Sequence, residues 1–173
     1  MILKPAYLLP LGLFLVGFGC SSPTEEIQEN AIERQIEANT GTNANVDIQD
    51  DTVTFRDENT NMVIGNNAAL PDGWPTDLVV PENGRIVVAA VTRENGGGAT
   101  LSAESPLTPG ELAAWYAAQM KTKGYAQESS ANFGGSVSAS YKKGESTIGF
   151  LFSASSGGDA NFRSLVTAGY SVE

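Results

Sequence analysis

Residues 108–124 read TPGELAAWYAAQMKTKG, and this stretch indicates a mixed fold because it is the best-marked helix in a chain rich in strand patterns. Thr108 is placed to cap the first turn, Pro109 suits the first helical position, and Glu111 completes a capping box. Gly124 suits the left-handed residue that ends a helix. The larger apolar side chains fall on one stripe, at Leu112, Trp115, Tyr116 and Met120. The stretch therefore predicts a single helix whose apolar side lies on a sheet.

Strand patterns flank this helix on both sides. Two strands are predicted before it, at residues 85–92 and 99–104, and the first of these is apolar on both alternating faces. Four more follow the helix, at residues 125–131, 136–141, 145–154 and 162–172, separated by turn residues. We therefore predict an α+β fold in which an antiparallel sheet with the order ββαββββ carries one helix across a face.

The composition excludes several classes of chemistry. The 173 residues include 10 Lys and Arg against 20 Asp and Glu, for a net charge of −10, with no His and one Cys. Without histidine, Ser-His-Asp and Cys-His catalysis and histidine metal sites are excluded, and a lone Cys20 cannot form an intrachain disulfide. The deficit of positive charge argues against binding to nucleic acid, whose phosphates need Lys and Arg partners. We identify no catalytic residue and expect no cofactor.

The first twenty residues have the pattern of an export signal. Lys4 is the one charge, and residues 5–19 are uncharged and mostly apolar. This stretch is shorter than the ~20 apolar residues that span a bilayer as a helix, and Pro10 interrupts it. We therefore expect residues 1–19 to be a signal peptide.

An apolar signal that ends at the only cysteine and is followed by Ser21-Ser22-Pro23 resembles a bacterial lipoprotein precursor. In that family the signal is cut before the cysteine, whose sulfur carries a diacylglycerol group and whose new amino terminus is often acylated with chains such as palmitate. Gly19 matches the small residue before the cut and Cys20 the lipidated position, whereas Gly17 and Phe18 depart from the family pattern. The resemblance implies a chain anchored through Cys20 in the cell membrane or outer membrane, on the extracytoplasmic side.

Two other fates of this signal stay open. An ordinary secretory signal, cut elsewhere, would leave a soluble protein with a free thiol. An uncut signal would be an amino-terminal anchor. Because two or more acyl chains hold a protein stably and one holds it only marginally, the chemistry at Cys20 decides between these outcomes.

The negative charge is concentrated in the first half of the exported chain. Residues 20–83 carry 13 acidic and 2 basic residues, whereas residues 84–173 carry 7 of each. Ser22-Pro23-Thr24-Glu25 matches a helix start, and we expect this helix to run to about Asn39. An acidic stripe follows its surface, at Glu26, Glu29, Glu33 and Glu37. We interpret the stripe as a solvated face or as a weak site for a divalent cation or basic partner.

Three short alternating runs follow, at residues 46–48, 52–55 and 62–64, and predict a small β-meander. With the acidic helix, the meander is predicted to form a subdomain over residues 20–65. Residues 66–84, rich in Pro and Asn, are predicted to be a linker that lies extended across a folded surface, and residues 85–173 the α+β domain. Turns that begin at Asp47 and Asp57 lack the glycine of a calcium loop, so no metal site is predicted.

Trp74 is the aromatic residue of the linker, and Pro75 after it favours an extended backbone. We interpret Trp74 either as a cap on the edge of the core or as a stacking platform for a ligand. Residues 69–173, with the Trp-Pro segment, two strands, a Pro-capped helix and a strand-rich tail, resemble domains of uncharacterised bacterial lipoproteins. This resemblance carries no activity or functional residue.

We therefore expect a membrane-anchored envelope protein that acts as a non-enzymatic binding or structural module for an unknown envelope protein or small ligand. Two alternatives stay open. One is a small-ligand sensor that uses the Trp74 segment or an exposed sheet face. The other is a wall-polymer hydrolase that uses two carboxylates in a cleft, because twenty acidic residues offer many pairs.

Overall fold

A computed structural model describes residues 30–35, 37, 44–49, 51–66, 68–156 and 159–172. The first helix, which we call α1, is described at residues 30–35 and 37 and lies within the predicted acidic helix. The other helix, α2, spans Pro109–Thr122, and a short 3-10 turn spans Glu94–Gly96. The strands are β1 (Asn45–Gln49), β2 (Thr52–Arg56), β3 (Thr60–Gly65), β4 (Arg85–Thr92), β5 (Gly98–Ser105), β6 (Ala126–Phe133), β7 (Ser136–Lys143), β8 (Ser146–Ala154) and β9 (Ser164–Val172).

All nine of these strands belong to one antiparallel sheet, so the α+β class and the antiparallel sheet are confirmed. The strands lie in the order β1-β2-β3-β4-β5-β9-β8-β7-β6. The last strand of the chain therefore lies in the middle of the sheet, between β5 and β8.

The predicted strand order ββαββββ is wrong for this sheet. That order counted only the strands after residue 84, but β3 pairs with β4 in a register that runs from Thr60 opposite Thr92 to Ile64 opposite Val88. The pairing satisfies backbone groups that two separate sheets would leave exposed at their edges. The division into folding units at residues 66–84 stays a prediction, since parts of one sheet can unfold in separate steps.

Local side-chain chemistry fixes the bounds of α2. The Thr108 side chain accepts a hydrogen bond from the Glu111 backbone N–H, and the Glu111 carboxylate accepts one from the Thr108 N–H at 2.8 Å. This is the predicted capping box, with Pro109 in the first turn. Gly124, just beyond the helix, has φ of 81°. Leu112, Tyr116 and Met120 form the buried side of the helix.

The main core lies between α2 and one face of the sheet. Tyr116 packs against both Phe150 and Phe152 of β8, with ring centroids 4.5 Å and 5.5 Å from its own. The Tyr116 O–H donates to the Val79 carbonyl at 2.8 Å, and Leu78 beside it is buried. The predicted linker therefore contributes directly to the core, because it covers apolar surface beside the helix.

We call the sheet surface that packs under α2 the covered face, and the opposite surface of β5–β9 the open face. Side chains alternate between these faces along each strand. On β8, Ile148, Phe150 and Phe152 point to the covered face and are buried, whereas Thr147, Gly149 and Leu151 point to the open face. In the part of the chain that the structure describes, no helix or strand packs on the open face of β8.

Candidate functional site

The most distinctive surface of the molecule is a shallow trough in the open face, with a volume of about 430 Å³. Its side chains come from five adjacent strands and are nearly all small. They are Thr100, Ser129, Ser138, Ser140, Gly149, Leu151, Thr167 and Gly169. Strand positions usually favour β-branched and aromatic side chains and disfavour glycine, because the larger side chains suit the pleated surface. The small residues here leave the sheet backbone open to approach from outside.

Two glycines form the floor of the trough. Gly149 on β8 lies directly opposite Gly169 on β9, and the register across them is regular. Neither glycine has a positive φ, and a Cβ built on either would meet no described atom within 4 Å. Backbone conformation and internal packing therefore require glycine at neither position.

Glycine inside a strand has an energetic cost. It destabilises a strand by roughly 0.5–1 kcal/mol relative to alanine, since it loses more backbone entropy on folding. An unforced strand glycine marks a place where a ligand or another backbone comes close to the sheet. The Gly149–Gly169 pair therefore points to the trough as a binding surface.

Hydroxyl groups and one apolar side chain line the trough. Ser140 lies between Gly149 and Ser129 across the sheet, and the Ser129 and Ser140 hydroxyls are hydrogen-bonded at 2.8 Å. Thr100 continues the same row on the far side of Gly169. Leu151 is 47% exposed in the next row. The lining residues carry no ionisable side chain, so the trough suits an uncharged group with its own hydrogen-bond donors and acceptors.

A cluster of ionised side chains lies at one end of the open face. The Arg85 guanidinium is hydrogen-bonded to Glu104 and lies 3.5 Å from Asp159. The same guanidinium stacks 4.4 Å from the ring centroid of Phe162, and Ser155 donates to Glu104 at 3.3 Å. Both carboxylates are thus engaged by one arginine, which ties residues 159–162 to β4 and β5.

A second polar cluster holds the linker at the C-terminal end of α2. The Tyr125 O–H donates to Asp77 at 3.0 Å, and the ammonium groups of Lys123 and Lys143 lie 3.8 Å and 3.6 Å from the same carboxylate. Lys123 also donates to the Thr76 carbonyl at 2.7 Å. Burial, followed by the hydrogen bond to Asp77, raises the pKa of Tyr125 to about 12. These contacts position the linker over the core.

Trp74 lies at the edge of the core, with its ring half-buried and packed against the central cluster. Its indole N–H donates to the Leu78 carbonyl at 2.7 Å, so the hydrogen-bonding group of the ring is satisfied within the linker. A depression of about 420 Å³ lies beside it, between Gly73, Pro75 and the β4–β5 hairpin, but Trp74 does not line it. The ligand role of Trp74 stays a prediction.

Two residues of the acidic stripe, Glu33 and Glu37, lie within the described ranges, whereas the predicted lipidation site does not. The Glu33 carboxylate accepts a hydrogen bond from the Val46 backbone N–H at 2.8 Å and a longer one from the Asn45 side chain at 3.5 Å, so it binds the first strand. Glu37 is exposed. Glu26, Glu29 and Cys20 lie outside the described residues. The stripe as a cation or partner site and the lipid on Cys20 both stay predictions.

The described residues also bear on metal binding and on membrane insertion. Within those ranges, no three His, Cys, Asp or Glu side chains come together as a metal site. Across the same ranges, no helix combines the length and the hydropathy needed to cross a membrane.

Sequence reasoning did not single out the trough. The sequence does contain a sign of the trough, because isolated glycines within the strand patterns of β8 and β9 indicate a bulge or a close backbone approach. Only the strand register shows that the two glycines are paired across adjacent strands and that no bulge accounts for them. Comparison of the chain with protein-family models, with curated proteins and with solved structures gives no match.

Proposed function

We propose that this chain is a lipid-anchored, non-enzymatic envelope protein that holds a partner in the trough on the open face of its sheet. The observation that carries the proposal is the Gly149–Gly169 pair, two glycines in adjacent strands with open space above them and ordinary backbone angles. A residue that weakens its own strand without local need is explained by what approaches it from outside.

The shape and chemistry of the trough define the kind of group it holds. Its floor is flat, because glycine leaves the peptide planes uncovered, and its walls are the hydroxyls of serine and threonine. Hydroxyls both donate and accept hydrogen bonds, so they suit neutral amide or hydroxyl groups better than an isolated charge. Leu151 adds an apolar contact. The trough therefore fits an extended, uncharged stretch of a peptide or glycan that lies across the strands.

The proposed anchor places this surface at a membrane. Cys20 follows the signal directly, and about nine residues separate it from the first described helical residue, Asn30. Two or more acyl chains on Cys20 would hold the protein at the membrane surface. The acidic charge of residues 20–83 would keep this part of the chain off anionic headgroups, since like charges repel.

The experiment places a photo-crosslinking amino acid at Leu151 in the full-length chain in cells. We expect a discrete adduct with a molecule other than this chain. Gly149→Val should reduce the adduct about tenfold or more, because a branched side chain fills the floor, a loss equivalent to about 1.4 kcal/mol of binding. The same substitution should leave the melting temperature unchanged or higher, since valine favours strands.

Ser171→Val is the matched control. Ser171 is exposed on β9, two residues from Gly169, and does not line the trough. The control should keep the adduct at the level of the unsubstituted chain. An adduct that survives Gly149→Val would contradict the trough, and a Cys20→Ser chain that still takes up a fatty-acid label and stays with membranes would contradict the anchor.

A further inference from the structure

The two edges of the sheet differ in how they are closed. At the β1 edge, the Val46 backbone N–H points away from the sheet and donates to the Glu33 carboxylate of α1. The Glu33 side chain therefore takes up a backbone N–H that an added strand would need for its hydrogen bonds. At the opposite edge, β6 pairs with β7 alone, and no described element lies along its outer side.

The turn between β6 and β7 determines which β6 groups face outward. Gly134 and Gly135 have φ of 56° and 93° and form a two-residue turn, so Phe133 and Ser136 are a hydrogen-bonded pair. Hydrogen-bonded pairs alternate along an antiparallel ladder. Ser130 and Asn132 therefore direct their N–H and C=O groups away from β7, to the open edge.

This edge has little protection against pairing with another strand. A bulge lies between Gln127 and Ser129, but residues 129–133 beyond it are regular and contain no proline and no charge. Natural edge strands are usually closed by charges, prolines or bulges along their length. Phe133 is 66% exposed, the highest value among the large exposed apolar residues of the described chain.

We propose that β6 pairs antiparallel with β6 of a second copy of this chain, about a two-fold axis at Ala131. In this register Ser130 lies opposite Asn132 of the partner, so their outward backbone groups form the hydrogen-bonded pairs. Ala131 lies opposite its own copy, and Phe133 lies opposite Ser129. The contact is self-complementary, as a two-fold interface requires.

Two features favour a second copy as the occupant. The register places small side chains opposite each other at the centre and gives each exposed Phe133 ring a small neighbour to cover. No like charges meet within residues 129–133, and residues 84–173 carry 7 basic and 7 acidic residues. In the resulting dimer the two-fold axis would be perpendicular to the sheet, so both open faces would lie on one side.

The pairing also changes the proposed binding surface. Ser129 is the end residue of the trough on β6, and the partner's ring would extend this row. Each copy thus contributes an aromatic residue to the trough of the other. The dimer rests on the geometry of the β6 edge and does not depend on the proposed function, although two anchored copies in one membrane would meet at a raised effective concentration.

A disulfide tests the register directly. Residues in a non-hydrogen-bonded antiparallel pair have Cα atoms about 4.5 Å apart, within the range that a disulfide spans. Ala131→Cys in the full-length chain, in membranes under mild oxidation, should give a covalent homodimer as the main product. Ser130→Cys is the matched control, because its two copies would be more than about 7 Å apart and should stay monomeric.

A second variant separates loss of pairing from loss of folding. Ala131→Lys places like charges opposite each other across the axis and should convert the dimer to monomer in sedimentation velocity with the melting temperature nearly unchanged. Gly149→Val should leave the Ala131→Cys dimer intact, which distinguishes this proposal from the trough. Equal crosslinking of Ala131→Cys and Ser130→Cys, a monomeric unsubstituted chain, or a main adduct with a different protein would each overturn it.

Discussion

The two faces of the sheet differ along a single strand. On β8, Phe152 is fully buried on the covered face, and its chain neighbour Leu151 is 47% exposed on the open face. The covered face carries the stacked rings of Phe150 and Phe152 under Tyr116, whereas the open face carries hydroxyls and glycine. One face therefore holds the fold together, whereas the side chains of the other face can vary without loss of core packing.

The energetic basis of this difference is burial. Each large apolar side chain that leaves water stabilises the fold by about 1.5–3 kcal/mol, and the covered face collects most of these residues. A serine or glycine on the open face contributes little, and Gly149 and Gly169 weaken their strands. Substitutions on the two faces should therefore separate stability from binding.

The largest expected effect comes from adjacent residues on opposite faces. Phe152→Ala should lower the free energy of unfolding by about 3–5 kcal/mol, because it opens a cavity under Tyr116. Leu151→Ala should change it by no more than about 0.5 kcal/mol, as is usual for surface sites. Urea denaturation of both variants measures the difference. Similar losses in the two variants would mean that the open face is covered in the native protein.

An intermediate effect is expected at the edge of the core. Trp74→Ala should lower the free energy of unfolding by about 2 kcal/mol, roughly half the cost for a fully buried aromatic side chain. The reason is that Trp74 packs on the core and donates to the Leu78 carbonyl. Leu70→Ala, an exposed position earlier in the same segment, is the matched control and should have little effect. A Trp74→Ala chain that melts like the unsubstituted protein would favour the ligand role instead.

The smallest expected effect depends on pH. Burial and the hydrogen bond to Asp77 raise the pKa of Tyr125 to about 12 from its ordinary value of 10. In the unfolded chain the phenol ionises near pH 10, whereas the folded chain keeps its proton, so this contribution to stability is present below pH 10 and is lost as the pH rises toward 12.

Tyr125→Phe removes this contribution. The variant should be less stable by about 1 kcal/mol at neutral pH, the usual net value of one hydrogen bond. Its stability should then fall less steeply than that of the unsubstituted chain between pH 10 and 12. Urea denaturation across this range measures both quantities. Parallel pH profiles for the two proteins would show that Tyr125 ionises alike in the folded and unfolded states.

The parts of the fold that could be predicted are those whose causes are local. The capping box of Thr108 and Glu111 acts within one helical turn, so the sequence locates α2 to within a residue or two. The period-two alternation of β8 likewise separates its buried from its exposed residues without reference to other strands.

The arrangement of the strands could not be predicted in the same way. The continuity of β3 with β4 depends on backbone pairing between residues on either side of segment 66–84, and that segment itself indicated a separation. The place of β9 between β5 and β8 joins residues more than fifty positions apart in the chain. Each strand pattern allows several partners, because backbone hydrogen bonds are the same for every residue.

The candidate site was missed for a related reason. Gly149 and Gly169 are visible in the sequence, but a strand glycine has meaning only when its neighbours across the sheet are known. Glu33 belongs to the predicted acidic stripe, and its carboxylate also binds the edge of the sheet at Val46. Charge patterns along a helix show which side chains share a face, and they do not show what that face contacts.

Local sequence patterns were enough to find the charge asymmetry, the apolar stretch before Cys20 on which the export prediction rests, the capped helix α2 and the set of strands, since each depends on residues within a few positions of one another. The union of the nine described strands in one sheet, and the face and edge that no other described element covers, are visible only in the folded chain. These are long-range properties, because they follow from which surfaces meet: Phe150 and Phe152 are buried against Tyr116 on one face, and the other face of β8 is left exposed.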